Sequence, residues 1–220
     1  MTISRKKIIG ALIVNIAIVI MEIIAMYLSF KRHSLAAFQY YTENSNYFTL
    51  FISLIFCIGS IIALKEHTYI SNWIRILRFI STTCLAITML IVLFILIPLF
   101  PENFEYMMFY DSNLYHHILC PILSILSFLL LENQVRCDRK SILYSMIPTL
   151  IYGVVLIILN IAKVVVGPYP FFYVYDMPWY ASILCLLGIL LAVVSIAIGI
   201  YYLHNIVHIK NDKTQKKTTI

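Results

Sequence analysis

Six apolar runs, approximately Ile8 to Leu28, Tyr47 to Leu64, Ile80 to Phe100, Leu114 to Leu131, Ile142 to Val166 and Ser182 to Leu203, alternate with short polar gaps along the chain. Each run is near the roughly 20 residues that a helix rising about 1.5 Å per residue needs to cross about 30 Å of hydrocarbon. None shows the period-two alternation of transmembrane barrel strands, and a helix satisfies its own backbone hydrogen bonds in lipid. The pattern predicts an all-α integral membrane protein, a bundle of six transmembrane helices.

The charges orient that bundle. Of 16 Lys and Arg residues, 13 fall in alternate gaps: Arg5, Lys6 and Lys7, then Lys65, Arg75 and Arg78, then Arg136, Arg139 and Lys140, and finally Lys210, Lys213, Lys216 and Lys217. Lys and Arg in short loops are retained on the cytoplasmic side, so both termini are expected there. The opposite gaps hold only Lys31 and Arg32, with Lys163 at the end of the fifth run.

Composition narrows the class. Hydrophobic residues make up 62% and charged residues 12% of the chain, too apolar a balance for an ordinary soluble domain. The net charge of +6 sits beside the spans, where topology and anionic headgroups account for it, so no nucleic-acid partner is expected. The first run exceeds the usual 7 to 15 residues of a signal-peptide core and has no clear small-residue cleavage site, so it reads as a retained helix. One membrane domain is expected over residues 1–209, followed by a solvated basic tail over 210–220. The five cysteines suggest neither a disulfide framework nor a metal cluster, and no cofactor is expected. No Gly-rich phosphate loop, nucleophile elbow or repeat is present.

Polar residues inside the runs carry the chemistry. Thr42, Asn46, Thr49, Ser53, Cys57 and Ser60 fall within a sector of about 80° on the second helix, a stripe suited to close helix packing. The fourth run begins Tyr115-His116-His117. His117 is seven residues before Ser124 and nearly eclipsed with it, whereas His116 points about 80° away, so His117 is the expected inward residue. Glu22 shares a face with Asn15, and Asn160 shares one with Lys163. An ionisable group within a span costs several kcal/mol unless paired or hydrated, so Glu22 and Lys163 are expected to pair or share a polar cavity, with snorkelling of Lys163 as the alternative. Thr42 to Asn46, His117 and Lys163 meet in the expected outer third, where aromatic residues also crowd the loops.

Three segments carry a resemblance. Phe38-Gln39-Tyr40-Tyr41-Thr42-Glu43-Asn44-Ser45-Asn46, Asn113-Leu114-Tyr115-His116-His117-Ile118-Leu119-Cys120-Pro121 and Tyr169-Pro170-Phe171-Phe172 are similar to landmarks of a group of bacterial six-helix membrane proteins. In the same order they resemble the eukaryotic androgen-induced/ADTRP membrane hydrolases. The resemblance implies hydrolysis of fatty acid esters of hydroxy fatty acids by a Thr near the second helix and a His near the fourth. Carried over, Thr42 is the nucleophile and His117 the base, with His116 as second choice because the eukaryotic His-to-Pro spacing is one residue longer. Ser45 is a second candidate nucleophile or a helix cap.

A Thr hydroxyl needs a base within hydrogen-bond reach and donors for the developing oxyanion. By location, Asn46, Asn113 and Lys163 are candidate donors, and Glu22, Glu43 or Asp111 are candidates to orient the His. Glu22, Asn46, Asn113, Asn160, Lys163 and Tyr169 form the expected substrate-binding set. The expectation is a bacterial plasma-membrane esterase acting on a membrane lipid or other amphipathic substrate. The alternative is a non-catalytic lipid- or solute-binding protein or transporter; the oligomeric state is left open.

Overall fold

The computed structural model describes the backbone of residues 4–218 and side chains through residue 208, and its helices follow the apolar runs. α1 spans Arg5–His33 and continues as a 3-10 turn over Ser34–Gln39. α2 spans Tyr41–Glu66, and α3 covers Asn72–Leu99 with a π turn at Val92–Leu96 ahead of Pro98. α4 is the shorter segment Tyr115–Leu131, α5 covers Lys140–Ile161, and α6 covers Trp179–Thr218. No strand occurs among the described residues. Five helices, all but α4, are long and apolar enough to cross a membrane, which makes this a multi-pass membrane protein by length and composition.

The backbone of α6 stays helical through Thr218, so it continues into the segment expected as a tail. The side chains of Lys210, Lys213, Lys216 and Lys217 lie outside the described residues.

Local chemistry explains the irregular stretches. α4 contains two π turns, Tyr115–Leu119 and Ser127–Leu131, around the α-helical stretch Cys120–Leu126. Pro121 brings no N–H to the ladder, so a carbonyl one turn earlier loses its helical donor. Asn46 Nδ2 of α2 reaches the His116 carbonyl at 3.5 Å. At the other end of α2, His67 adopts a left-handed conformation with φ 55°, and its N–H donates to the Ala63 carbonyl, which closes the helix.

The bundle is polar inside and apolar outside. Asn15, Glu22 and Ser29, spaced by seven on α1, are fully buried. On α2, Asn46, Thr49, Ser53 and Ser60 are equally buried, and the Thr49 and Ser60 hydroxyls bond back to the Ser45 and Phe56 carbonyls at 2.9 and 2.8 Å. α1 packs along α2, α2 along α3, and α4 sits against α1 and α3. α5 and α6 pack on each other at the periphery and turn Ile151, Ile158, Leu184 and Leu191 outward. Such a surface matches hydrocarbon, while small polar side chains let the inner helices approach closely.

A second polar cluster locks the end of the bundle that holds the basic gaps. Arg78, expected as a loop charge, lies within α3 and is fully buried, because α3 begins eight residues before the apolar run from Ile80. Its Nε and Nη2 donate to the Glu132 carboxylate at 3.1 and 2.9 Å. Asn15 Nδ2 and Ser127 Oγ donate to Glu132 Oε1 at 3.1 and 2.7 Å, and the guanidinium lies 5.5 Å from the Phe56 ring centroid. A buried ion pair of this kind survives through its added hydrogen bonds.

Candidate functional site

At the opposite end, the last turn of α1, the first turn of α2, the start of α4 and the loop between α5 and α6 enclose two adjacent cavities. A polar chamber of about 270 Å³ has Arg32, Thr42, Glu43, Asn113, His117 and Tyr169 in its wall. A narrow apolar slot is walled by Tyr41, Ile91, Tyr152, Phe172 and Leu186 among others. Thr42, Leu96 and Tyr169 belong to both walls, so Thr42 stands where the two cavities meet. The slot's polar atoms are consumed locally: the Tyr41 hydroxyl pairs with Thr149 Oγ1 at 2.8 Å, and the Tyr152 hydroxyl donates to the Gln39 carbonyl at 2.6 Å.

Thr42 is half-buried in the first turn of α2. Its carbonyl accepts from Asn46 Nδ2 at 2.7 Å and Ser45 Oγ at 2.9 Å, which fixes the turn. The Tyr169 hydroxyl accepts from the Tyr41 N–H at 3.1 Å, and the Thr42 hydroxyl and amide face the same oxygen. Burial pushes the Tyr169 phenol up to about 12, partly offset by those donors. Tyr169 therefore keeps its proton at neutral pH and can donate it. The amides of a helix's first turn also carry its positive pole, so developing negative charge at Thr42 meets favourable dipoles.

The two histidines take different parts. The His117 Nδ1–H donates to the Met107 carbonyl, because a carbonyl can only accept. Its Nε2 is then the lone-pair nitrogen, the state a general base requires, and the side chain belongs to the chamber wall. His116 is fully buried between two carboxylates: Nε2 is 3.4 Å from Glu22 Oε2, and Nδ1 is 3.4 Å from Glu43 Oε2. These contacts are longer than ordinary charge-assisted hydrogen bonds, yet neither ring nitrogen has another partner among the described residues.

His116 therefore does not point away from the core. A π turn rotates the chain less per residue than an α turn, so angles counted at 100° across Tyr115–Leu119 are wrong.

Glu22 and Lys163 do not meet. Glu22 is fully buried against His116, whereas Lys163 is exposed, with Nζ 5.1 Å from the Tyr175 ring centroid. Lys163 has φ 57°, just past the last turn of α5, which carries it out of the bundle. It lines a separate cavity with Asn160 and Asp176, so Asn160 and Lys163 fall outside the chamber. Ser45 also faces away from it, bonded to Thr88 Oγ1 of α3 at 2.9 Å. Asn46 braces α2 against α4 instead of lining the chamber. Asn113 does line it, but its Nδ2 is committed to the Tyr106 carbonyl at 2.8 Å.

The sequence reading missed the joint placement of Arg32 and Glu43 in the chamber wall and the Arg78–Glu132 pair. The signal for a buried acid on α1 was present in the Asn15, Glu22, Ser29 repeat. Among the described residues, no group of three or more His, Cys, Asp or Glu side chains is arranged to hold a metal ion. No protein-family model, curated protein or solved structure matches the chain.

Proposed function

We propose that this protein is a plasma-membrane hydrolase of lipid acyl esters, with six spans, both termini cytoplasmic, and a Thr42/His117 pair acting near the outer leaflet. The observation that carries the reading is the shared chamber: Thr42 and His117 line one wall system, and His117 presents Nε2 as an acceptor. The proposed sixth span is α4, an apolar helix with fewer residues than its neighbours.

The chemistry runs in two steps. Thr42 Oγ1 bonds to the ester carbonyl carbon while its proton passes to His117 Nε2, and the alcohol leaves with that proton. Water then attacks the acyl-threonine, again giving a proton to Nε2; that proton returns to Thr42 Oγ1 as the fatty acid departs. The Tyr169 hydroxyl is the proposed donor to the oxyanion. His116 is a positioning residue in this scheme, since both its nitrogens face carboxylates.

The experiment is release of fatty acid from an ester of a hydroxy fatty acid by the purified protein in detergent. Thr42→Ala and His117→Ala should each lower turnover about a hundredfold or more while the protein stays folded. Turnover unchanged by both substitutions would remove the reading. A second reading, amphiphile binding or transport without cleavage, is favoured by Glu22, His116 and Glu43, which together form a buried proton store. It requires uptake or binding that depends on Glu22 and survives Thr42→Ala.

A further inference from the structure

We infer that Arg32 is the anion receptor of the polar chamber, and that the ligand is a single-chain amphiphile whose tail fills the apolar slot and whose carboxylate or phosphate meets the Arg32 guanidinium. The inference deepens the proposed function for the ester itself, but ligand binding does not depend on cleavage.

Arg32 lies in the last turn of α1 and is held from several sides. Its Nε donates to His33 Nε2 at 2.8 Å, and its Nη2 donates to Ser112 Oγ at 2.9 Å and Asn113 Oδ1 at 3.2 Å. The guanidinium also sits 5.7 Å from the Tyr106 ring centroid. Every one of these partners is neutral or an aromatic face. Nη1 is enclosed and has no hydrogen-bond partner among the described residues, and no carboxylate there forms an ion pair with Arg32.

Arg32 is half-buried with no counter-ion among the described residues, and its one uncommitted nitrogen, Nη1, is a charged donor suited to a single oxygen of a carboxylate or phosphate. The other acid in the wall, Glu43, turns its Oε2 to His116. The slot beside the chamber is narrow and walled mostly by apolar side chains, which suits an acyl chain. A ligand spanning both cavities passes Thr42, one of the three residues common to their walls.

The test uses a fluorescent polyene fatty acid and its methyl ester, titrated against the full-length protein in detergent. Wild type should bind the acid about tenfold or more tightly than the ester, the range for hydrogen bonds to a charged group. In Arg32→Gln that ratio should collapse, whereas Arg32→Lys should keep part of it. A role of Arg32 confined to bracing Ser112 and Asn113 would weaken both probes alike and leave the ratio intact, which would overturn the inference. So would a wild-type ratio near one, a result that needs no variant to fold. Displacement of the probe by dodecanoate and by dodecyl phosphate, each against dodecanol, identifies the source of the anion; no advantage of either over dodecanol counts against the receptor. Arg32-dependent binding without any ester cleavage would remove the hydrolase and leave the receptor standing.

Discussion

The imidazole of His116 on α4 stands 3.4 Å from the carboxylate of Glu22 on α1, and neither residue has any solvent exposure. Glu43 of α2 closes the other side of the ring at the same distance. Three helices thus meet at one ionisable cluster, where removing a partner leaves a buried charge uncompensated. His116→Ala should cost about 3–5 kcal/mol, read as a lowered thermal unfolding midpoint in detergent. The double variant Glu22→Gln/His116→Gln should cost less than the sum of its singles, and strict additivity would show that the pair is not coupled.

Arg78 and Glu132 make the corresponding prediction at the other end. Arg78→Ala strands Glu132 with only Asn15 and Ser127 as donors, a loss again of about 3–5 kcal/mol. Glu132→Gln keeps an oxygen for those donors and should be the milder change. Equal midpoints for wild type and Arg78→Ala would mean that water replaces the guanidinium.

Tyr169→Phe removes both the acceptor for the Tyr41 N–H and the proposed oxyanion donor. The lost acceptor should cost about 1–3 kcal/mol, and turnover should fall with it. The pH dependence has a definite sign. An unfolded phenol ionises near about 10, while burial holds the folded one up to about 12. The Tyr169 contribution is complete below pH 10 and declines as pH rises toward 12. Subtracting the stability profile of the Phe variant from that of wild type should expose this decline; parallel profiles over that window would contradict it.

Orientation has its own measurement. In a background lacking the five native cysteines, a cysteine replacing Asp176 should react with an impermeant thiol reagent in intact cells. A cysteine replacing Lys213 should not. The reverse pattern would place the chamber on the cytoplasmic side.

Much of the helix plan was legible because apolar length and charge position are local properties of the chain. The five long helices follow their apolar runs, and the Thr42 and His117 motifs lie at one chamber. The pairing of buried charges was not legible. Glu22 and Lys163 lie at similar expected depth, and nothing local says that a left-handed residue after α5 turns Lys163 outward. His116 was misjudged because helical-wheel angles assume an α ladder, and Pro121 follows a π turn. Arg78 looked like a topological charge because its partner, Glu132, lies 54 positions away.

The two ionic clusters also act together. Asn15 and Glu22 are seven residues apart on α1, about 10 Å of rise, and each is fastened to α4 or to the residue just beyond it. One pin through two rods permits swivelling, but two pins forbid both swivelling and sliding. α5 and α6 carry neither pin, yet Tyr152, Gly153, Leu186 and Ile189 of these helices wall the slot. α6 is moored at its far end, where Asn205 Oδ1 accepts from the Cys137 N–H at 3.0 Å and His208 Nδ1 donates to the Asn133 carbonyl at 2.8 Å. α5 is tied at the slot itself, by the Tyr41–Thr149 and Tyr152–Gln39 hydrogen bonds at 2.8 and 2.6 Å, so the slot is held from both sides and α6 is the helix without a polar tie there among the described residues.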